Sequence, residues 1–72
     1  MRTKIIVYDY YSGDSTEVAD TAHLRTFTAD LEKRSVEYGV LTLAPESYIS
    51  FLGLSHLDKV EYIESFWYRI GA

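Results

Sequence analysis

The sequence predicts a small α+β domain, a two-layer sandwich in which about three strands carry two helices on one face. Two observations lead to this prediction. Residues 3–11 are rich in residues that favour strands, and residues 24–38 and 55–70 repeat apolar residues at helical spacing. The predicted order is β-α-β-β-α, and 72 residues are enough for one domain, residues 1–72.

The first strand is predicted over residues 3–11, where β-branched and aromatic residues predominate. Alternation puts Ile5 and Val7 on one face of this strand. Tyr8 and Tyr10 lie on the other face, so both faces are largely apolar or aromatic. The strand is therefore either covered on both sides or presents its tyrosine face to another molecule.

Residues 12–16, SGDST, have the composition of a turn. A helix is predicted to follow, with Ser15, Thr16 and Asp20 as alternative N-cap residues. Its buried face is expected to carry Leu24, Phe27, Leu31 and Tyr38. Gly39 is predicted to end the helix in the position after the C-cap.

Residues 40–43 form a short apolar run and predict a second strand, which a helical crossover would place parallel to the first. Pro45 interrupts this run because it cannot donate to a ladder. Residues 47–52 allow two interpretations. Alternation of Ile49 and Phe51 on one side favours a strand, the preferred interpretation, whereas a helix would place Pro45 at its first position.

The last helix is predicted over residues 55–70. Ser55 stands at the N-cap, with Asp58 three residues later as a shortened capping box. Gly71 follows the last apolar residue, where a helix readily ends. The expected buried stripe consists of Leu57, Val60, Ile63, Phe66, Trp67 and Ile70.

Two helices on one face would leave the opposite face of the sheet bare in a monomer. If Tyr8, Tyr10 and Tyr48 lie on that face, they form an aromatic surface with no internal partner. Tyrosine provides a large contact area and keeps a polar tip, and protein interfaces are enriched in it.

The composition argues against several kinds of ligand and site. A net charge of −4 disfavours a nucleic-acid backbone or an anionic membrane as the direct ligand. The chain has no cysteine, so it has neither disulfides nor a thiolate metal site. The apolar run from Ile5 to Val7 is too short for a signal peptide or a membrane span, and a cytoplasmic protein is expected.

No catalytic, cofactor or metal motif is found in the sequence. His23 and His56 are too far apart for the usual helical pair of metal ligands. A calcium loop starting at Asp9 would need glycine at its sixth position, which holds Asp14. No serine stands in a nucleophile motif. We therefore expect neither enzymatic activity nor a cofactor.

Acidic residues interleaved with tyrosines favour a protein-binding surface, because negative charge steers positively charged partners. Small acidic domains without a motif are typical of phage inhibitors of nucleic-acid-handling machines, such as anti-CRISPR and antirestriction proteins. The alternative is a homodimer or an accessory subunit of a metabolic enzyme. The predicted partner-binding residues are Tyr8, Tyr10, Tyr11, Asp14, Glu17, Tyr48, Asp58, Glu61, Tyr62 and Tyr68.

Overall fold

The computed structural model describes residues 3–71, without the side chains of residues 66–71. Along the described chain the elements are β1 (Lys4–Asp9), β2 (Ser15–Val18), α1 (Thr21–Lys33), β3 (Tyr38–Leu43), α2 (Pro45–Leu52) and α3 (His56–Gly71). The sheet order is β2-β1-β3, with β1 antiparallel to both neighbours. The α+β class and the three-stranded sheet are confirmed, but the described chain has three helices and the order ββαβαα.

Helices cover both faces of the sheet. The cluster on one face joins β1 and β3 to α2 and α3, and its buried members are Ile6, Tyr8, Leu41, Leu43, Phe51 and Ile63. The cluster on the other face joins β1 and β2 to α1, and its buried members are Val7, Val18 and Leu31. Two helices thus pack on one face, but α1 covers the other. The expected bare tyrosine face was wrong.

The hairpin from β1 to β2 occupies the segment predicted as a turn and helix start. Gly13 adopts a left-handed φ of 79° in the turn. The carboxylate of Asp9 accepts hydrogen bonds from the backbone N–H groups of Tyr11 at 2.8 Å and Ser12 at 3.0 Å. These bonds favour an early reversal, and the residues that follow pair with β1 as a second strand.

This extra strand also explains why β3 is antiparallel to β1 rather than parallel. Both β2 and β3 run antiparallel to β1 and are therefore parallel to each other. Helix α1 makes the crossover from β2 to β3, past the central strand. The sequence predicted a crossover from the first strand, β1, whereas the helical crossover starts from β2.

Helix α1 begins at the last of the three predicted N-caps. Asp20 Oδ1 accepts a hydrogen bond of 2.8 Å from the backbone N–H of His23. Ser15 and Thr16 lie in β2 instead. Of the predicted buried face, Leu31 is buried, whereas Leu24 and Phe27 are half-buried against the same cluster, and Tyr38 lies in β3.

The end of α1 comes before Gly39, which corrects the prediction for that residue. Ser35 adopts a φ of 58° after the C-cap Arg34. The backbone N–H of Ser35 donates to the carbonyl of Glu32 at 3.0 Å, and that of Val36 donates to Leu31 at 2.9 Å. This pair of bonds defines a Schellman motif, in which a serine takes the place usually occupied by glycine.

Residues 45–52 form helix α2 rather than the preferred strand. Pro45 occupies the first position of the helix, as the alternative interpretation required. Phe51 faces the core while Ile49 remains exposed. Apolar residues on both sides of so short a segment resemble the alternation of a strand, which explains the wrong prediction.

In α3 the predicted cap is confirmed, since Ser55 Oγ accepts a hydrogen bond of 3.2 Å from the N–H of Asp58. Ile63 is buried and Val60 packs against the core. Leu57 was wrongly assigned to the buried stripe, because its side chain is 65% exposed. The predicted stripe residues Phe66, Trp67 and Ile70 lie outside the described side chains.

Candidate functional site

Most of the tyrosines that were predicted to form a binding surface are instead buried or pack against the core. Tyr8 is only 1% exposed, so its ring cannot contact a partner, and its assignment as a binding residue was wrong. Three tyrosines are half-buried and pack against the cluster under α2 and α3: Tyr10, Tyr48 and Tyr62. Tyr11, in the hairpin, is 90% exposed. Tyr68 lies outside the described side chains.

The predicted acidic residues are exposed but belong to two separate elements. Asp14 and Glu17 lie in the hairpin, where the Glu17 carboxylate forms an ion pair of 3.1 Å with Nζ of Lys4. Asp58 and Glu61 lie on the outward face of α3. Asp14 and Glu17 thus share the hairpin with Tyr11, and Asp58 and Glu61 share α3 with Tyr62.

The outward face of α3 combines negative charge with an apolar side chain. Leu57, Glu61 and Glu64 follow one another at helical spacing, and all three are exposed. Asp58 is also exposed beside them. This helix therefore presents carboxylates around an exposed leucine.

Four exposed apolar residues lie in the connection between α2 and α3 or in the adjoining turns of these helices, and we call them the corner patch. Their exposed fractions are 71% for Ile49, 45% for Leu52, 36% for Leu54 and 65% for Leu57. A helical interpretation of residues 45–52 would have placed Ile49 and Leu52 on one face. The strand assignment therefore concealed this patch at the sequence level.

A groove between α2 and α3 adjoins the corner patch through Leu54. Its volume is about 410 Å³, and it is lined by Glu46, Ser47, Ser50, Phe51, Leu54 and Tyr62. The floor is aromatic and aliphatic, and Glu46 contributes a carboxylate at the first turn of α2. The rings of Phe51 and Tyr62 lie 5.9 Å apart between centroids.

A cluster of polar side chains around Tyr8 is the second arrangement that could take part in chemistry. The Tyr8 hydroxyl lies 2.5 Å from Nδ1 of His56, and Nζ of Lys59 lies 5.4 Å from the centre of the Tyr8 ring. Ser15 Oγ is buried without a hydrogen-bond partner among the described residues. Burial, followed by the charges of Asp14 and Asp9, raises the pKa of Tyr8. The raised pKa keeps this phenol protonated at neutral pH.

The described chain offers no arrangement for metal binding or membrane crossing. Within residues 3–71, no group of three or more His, Cys, Asp or Glu side chains is placed to hold a metal ion. None of the described helices has the length and apolar character needed to span a bilayer.

The fold and the surface thus define a small α+β domain with an acidic helix and an exposed apolar corner. No protein-family model matches the chain, and no curated protein or solved structure matches it.

Proposed function

We propose that the protein is a non-enzymatic protein-binding module that docks the corner patch and the acidic face of α3 on a basic partner surface. Such surfaces belong to nucleic-acid-handling machines, which the protein would inhibit by occupation, in the manner of anti-CRISPR and antirestriction proteins. The observation that carries the proposal is the exposure of four large apolar side chains around one helix connection.

Exposed apolar side chains that cluster and are rimmed by charge are typical of protein interfaces. Here the rim is negative, because Asp58, Glu61 and Glu64 flank Leu57. Carboxylates at the rim accelerate the encounter with a positive surface and disfavour acidic ones.

The same charges disfavour the alternative of a homodimer through this corner. In a two-fold dimer each patch meets its own copy, so the carboxylates beside Leu57 would approach like charges. The choice of a foreign, basic partner follows from this electrostatic argument.

The test compares two exposed-residue variants as baits in extracts of the native host. The double variant Ile49→Ser and Leu57→Ser removes the two most exposed of the four corner-patch side chains. Tyr11→Ser is the control, because Tyr11 was predicted to bind the partner but lies in the hairpin, outside the surface of this proposal. Both sets of side chains are exposed, so we expect each variant to keep the parent's stability within about 0.5 kcal/mol per substitution.

We expect the parent and Tyr11→Ser to retain the same basic protein, with retention weakened by salt, and the corner variant to lose it. Glu61→Lys should weaken retention as well. Equal retention by the corner variant and the control would refute the proposal. So would a parent dimer in light scattering that the corner variant converts to a monomer.

A further inference from the structure

We propose that the free edge of β3 binds a second copy of this chain, so that two three-stranded sheets join into one continuous sheet. In the described chain β3 lies at one edge of the sheet and pairs with β1 alone. No residue of this strand belongs to the corner patch or to the acidic face of α3. This inference is therefore independent of the proposed function.

The register of β3 identifies the backbone groups that the strand leaves unpaired. The N–H of Tyr10 donates to the carbonyl of Glu37 at 3.0 Å, which makes these two residues a hydrogen-bonded pair beside β3. Successive residues of an antiparallel strand direct their N–H and C=O groups alternately to one side and the other. Every second residue from Glu37 onward therefore faces β1, and the residues between them face outward: Tyr38, Val40 and Thr42. Outside the ladder, no backbone hydrogen bond between described residues involves these outward residues.

The composition of β3 lacks the features that usually protect an edge strand. Such strands avoid further pairing through charged side chains, proline, a bulge or short length. Residues 38–43, YGVLTL, contain neither a charge nor a proline, and their register with β1 is continuous, without a bulge. The other edge, β2, has four residues and carries the charged Glu17. Immediately after β2, the N–H of Ala19 is taken up by Nδ1 of His23. Pairing is thus favoured at β3 rather than at β2.

A second copy of β3 matches this edge because a two-fold axis preserves both the hydrogen bonds and the faces of the sheet. With the axis perpendicular to the sheet at Val40, this residue pairs with Val40 of the second copy. Tyr38 then pairs with Thr42 of the second copy, and every such pair exchanges two backbone hydrogen bonds. The paired side chains lie on the face of the sheet that α1 covers. Pairs of aromatic and β-branched residues of this kind stabilise sheets.

The charges near the edge fit a copy of this chain better than the basic partner of the corner patch. Residues 38–43 contain no carboxylate that would attract a positive surface. In the two-fold register, Glu37 lies opposite Leu43 of the second copy. Lys4 is the residue paired with Leu43 within a chain, so Lys4 of the second copy follows in the same row of side chains. The first charged residue that Glu37 meets along this row is therefore a cation, about 10 Å away.

The helices on the two faces are held over the inner strands. Helix α1 packs on β1 and β2 through Leu31. On the other face, α3 packs on the sheet where Ile63 lies against Gly39, and it forms the hydrogen bond to Tyr8 of β1. The exposed side chain of Thr42 shows that the edge of β3 is accessible.

The mass of the purified full chain in solution tests the proposal, measured by light scattering over a series of concentrations. We expect a dimer that dissociates on dilution. Thr42→Pro should be monomeric, because proline removes an outward N–H and places its ring at the edge, while the ladder with β1 keeps its bonds. Glu17→Pro is the matched control and should remain dimeric. Glu17 is also exposed, and its N–H points outward from β2. Circular dichroism verifies that both variants are folded.

Cysteine cross-linking tests the register with little change to the strand. The chain contains no cysteine, so a single introduced thiol can form a disulfide only with a second copy. The Cα atoms of a hydrogen-bonded pair are about 5.5 Å apart, within the disulfide range of about 4.4–6.8 Å. Val40→Cys should therefore yield a covalent dimer with oxidised glutathione. In Thr42→Cys the two Cα atoms would be about 13 Å apart along the strands, so no covalent dimer should form, although Thr42 is the more exposed residue.

Several results would overturn the edge dimer. A parent that is monomeric at every concentration would do so, as would a dimer that persists in folded Thr42→Pro. Cross-linking of Thr42→Cys in preference to Val40→Cys would exclude the two-fold register.

The edge dimer and the proposed function fail in different experiments. Thr42→Pro should still retain the basic partner, and the corner variant should still be a dimer. A dimeric parent that retains no basic partner supports the edge and refutes the proposed function. A monomeric parent that retains the partner refutes the edge alone.

Discussion

The hydroxyl of Tyr8 in β1 lies 2.5 Å from Nδ1 of His56, the first residue of α3. This hydrogen bond joins the central strand to a helix 48 residues later. When the ring proton of His56 resides on Nε2, the phenol donates to Nδ1, and when it resides on Nδ1, the phenol oxygen accepts. The bond thus fixes the beginning of α3 against the sheet.

Tyr8→Phe removes this hydrogen bond and leaves the buried ring in place. We expect the free energy of unfolding to fall by about 0.5–1.5 kcal/mol, the usual net value of one hydrogen bond. Urea denaturation followed by circular dichroism measures the change. Tyr11→Phe is the control, since a hydroxyl on a side chain that is 90% exposed should contribute almost nothing. Equal stability of the two variants would show that the Tyr8–His56 bond has no net value.

Stability should also fall in alkaline solution. Burial is the largest cause that raises the pKa of Tyr8 and of Tyr10 above the ordinary 10.0, and a hydrogen bond to the Glu32 carboxylate raises the pKa of Tyr38. The folded state therefore holds these phenolic protons more tightly than the unfolded state does. Their contribution is fully present below about pH 10 and is lost as the pH rises through the folded values.

Urea titrations at about pH 8, 10 and 11 test this expectation. The parent should lose stability above about pH 10, and Tyr8→Phe should lose less because one of the three groups is gone. A variant with the same alkaline slope as the parent would contradict the role assigned to Tyr8.

The sequence was sufficient for the elements whose signals are local. The first strand was predicted over residues 3–11 and is found at Lys4–Asp9. The cap at Ser55 and one of the three proposed caps, Asp20, were also predicted from residue type and spacing. Burial of Leu31 and Ile63 followed from helical periodicity. These features depend on neighbours along the chain, so the pattern alone specifies them.

The features that were missed depend on tertiary pairing or on function. Ser15–Val18 is a strand because it pairs with β1, although its composition is typical of a turn. Ile49 was assigned to a strand face with Phe51, and Leu57 to the buried stripe of the last helix, yet Ile49 and Leu57 are both exposed. Apolar residues in such patterns are normally assigned to the core. The corner patch was therefore not identified from the sequence.

Ser35→Gly should stabilise the protein. A non-glycine residue in the left-handed region costs roughly 1–2 kcal/mol, which glycine would relieve. The greater flexibility of glycine in the unfolded chain offsets roughly 0.5–1 kcal/mol of this stabilisation. We expect a net increase of about 0.5–1 kcal/mol, or a rise in Tm of about 2–8 °C for a chain of this size. Thermal unfolding measures it, with Ser35→Ala as the control that keeps the strain. An unchanged or lower Tm for Ser35→Gly would show that the serine side chain compensates for its backbone conformation.

Gly39→Ala should destabilise the protein through the contact between β3 and α3. A Cβ atom at position 39 would lie 2.6 Å from Cγ2 of Ile63 and 2.9 Å from the hydroxyl oxygen of Tyr10. Ile63 is fully buried, so its branched side chain has no free space to enter, and the helix must move away from the strand. Overpacking of this kind costs about 1–3 kcal/mol.

Gly53→Ala separates this steric effect from the general effect of replacing glycine. At position 53 the nearest atom to a new Cβ is the carbonyl oxygen of Ser50 at 3.5 Å, an ordinary contact, and the φ of −80° suits alanine. We expect the free energy of unfolding of this control to equal that of the parent or to exceed it by up to about 1 kcal/mol, as measured by urea denaturation. Similar losses at both positions would mean that close packing of α3 on β3 is not the reason for glycine at position 39. A loss confined to Gly39→Ala would place that reason in the close contacts of position 39 with Ile63 and Tyr10.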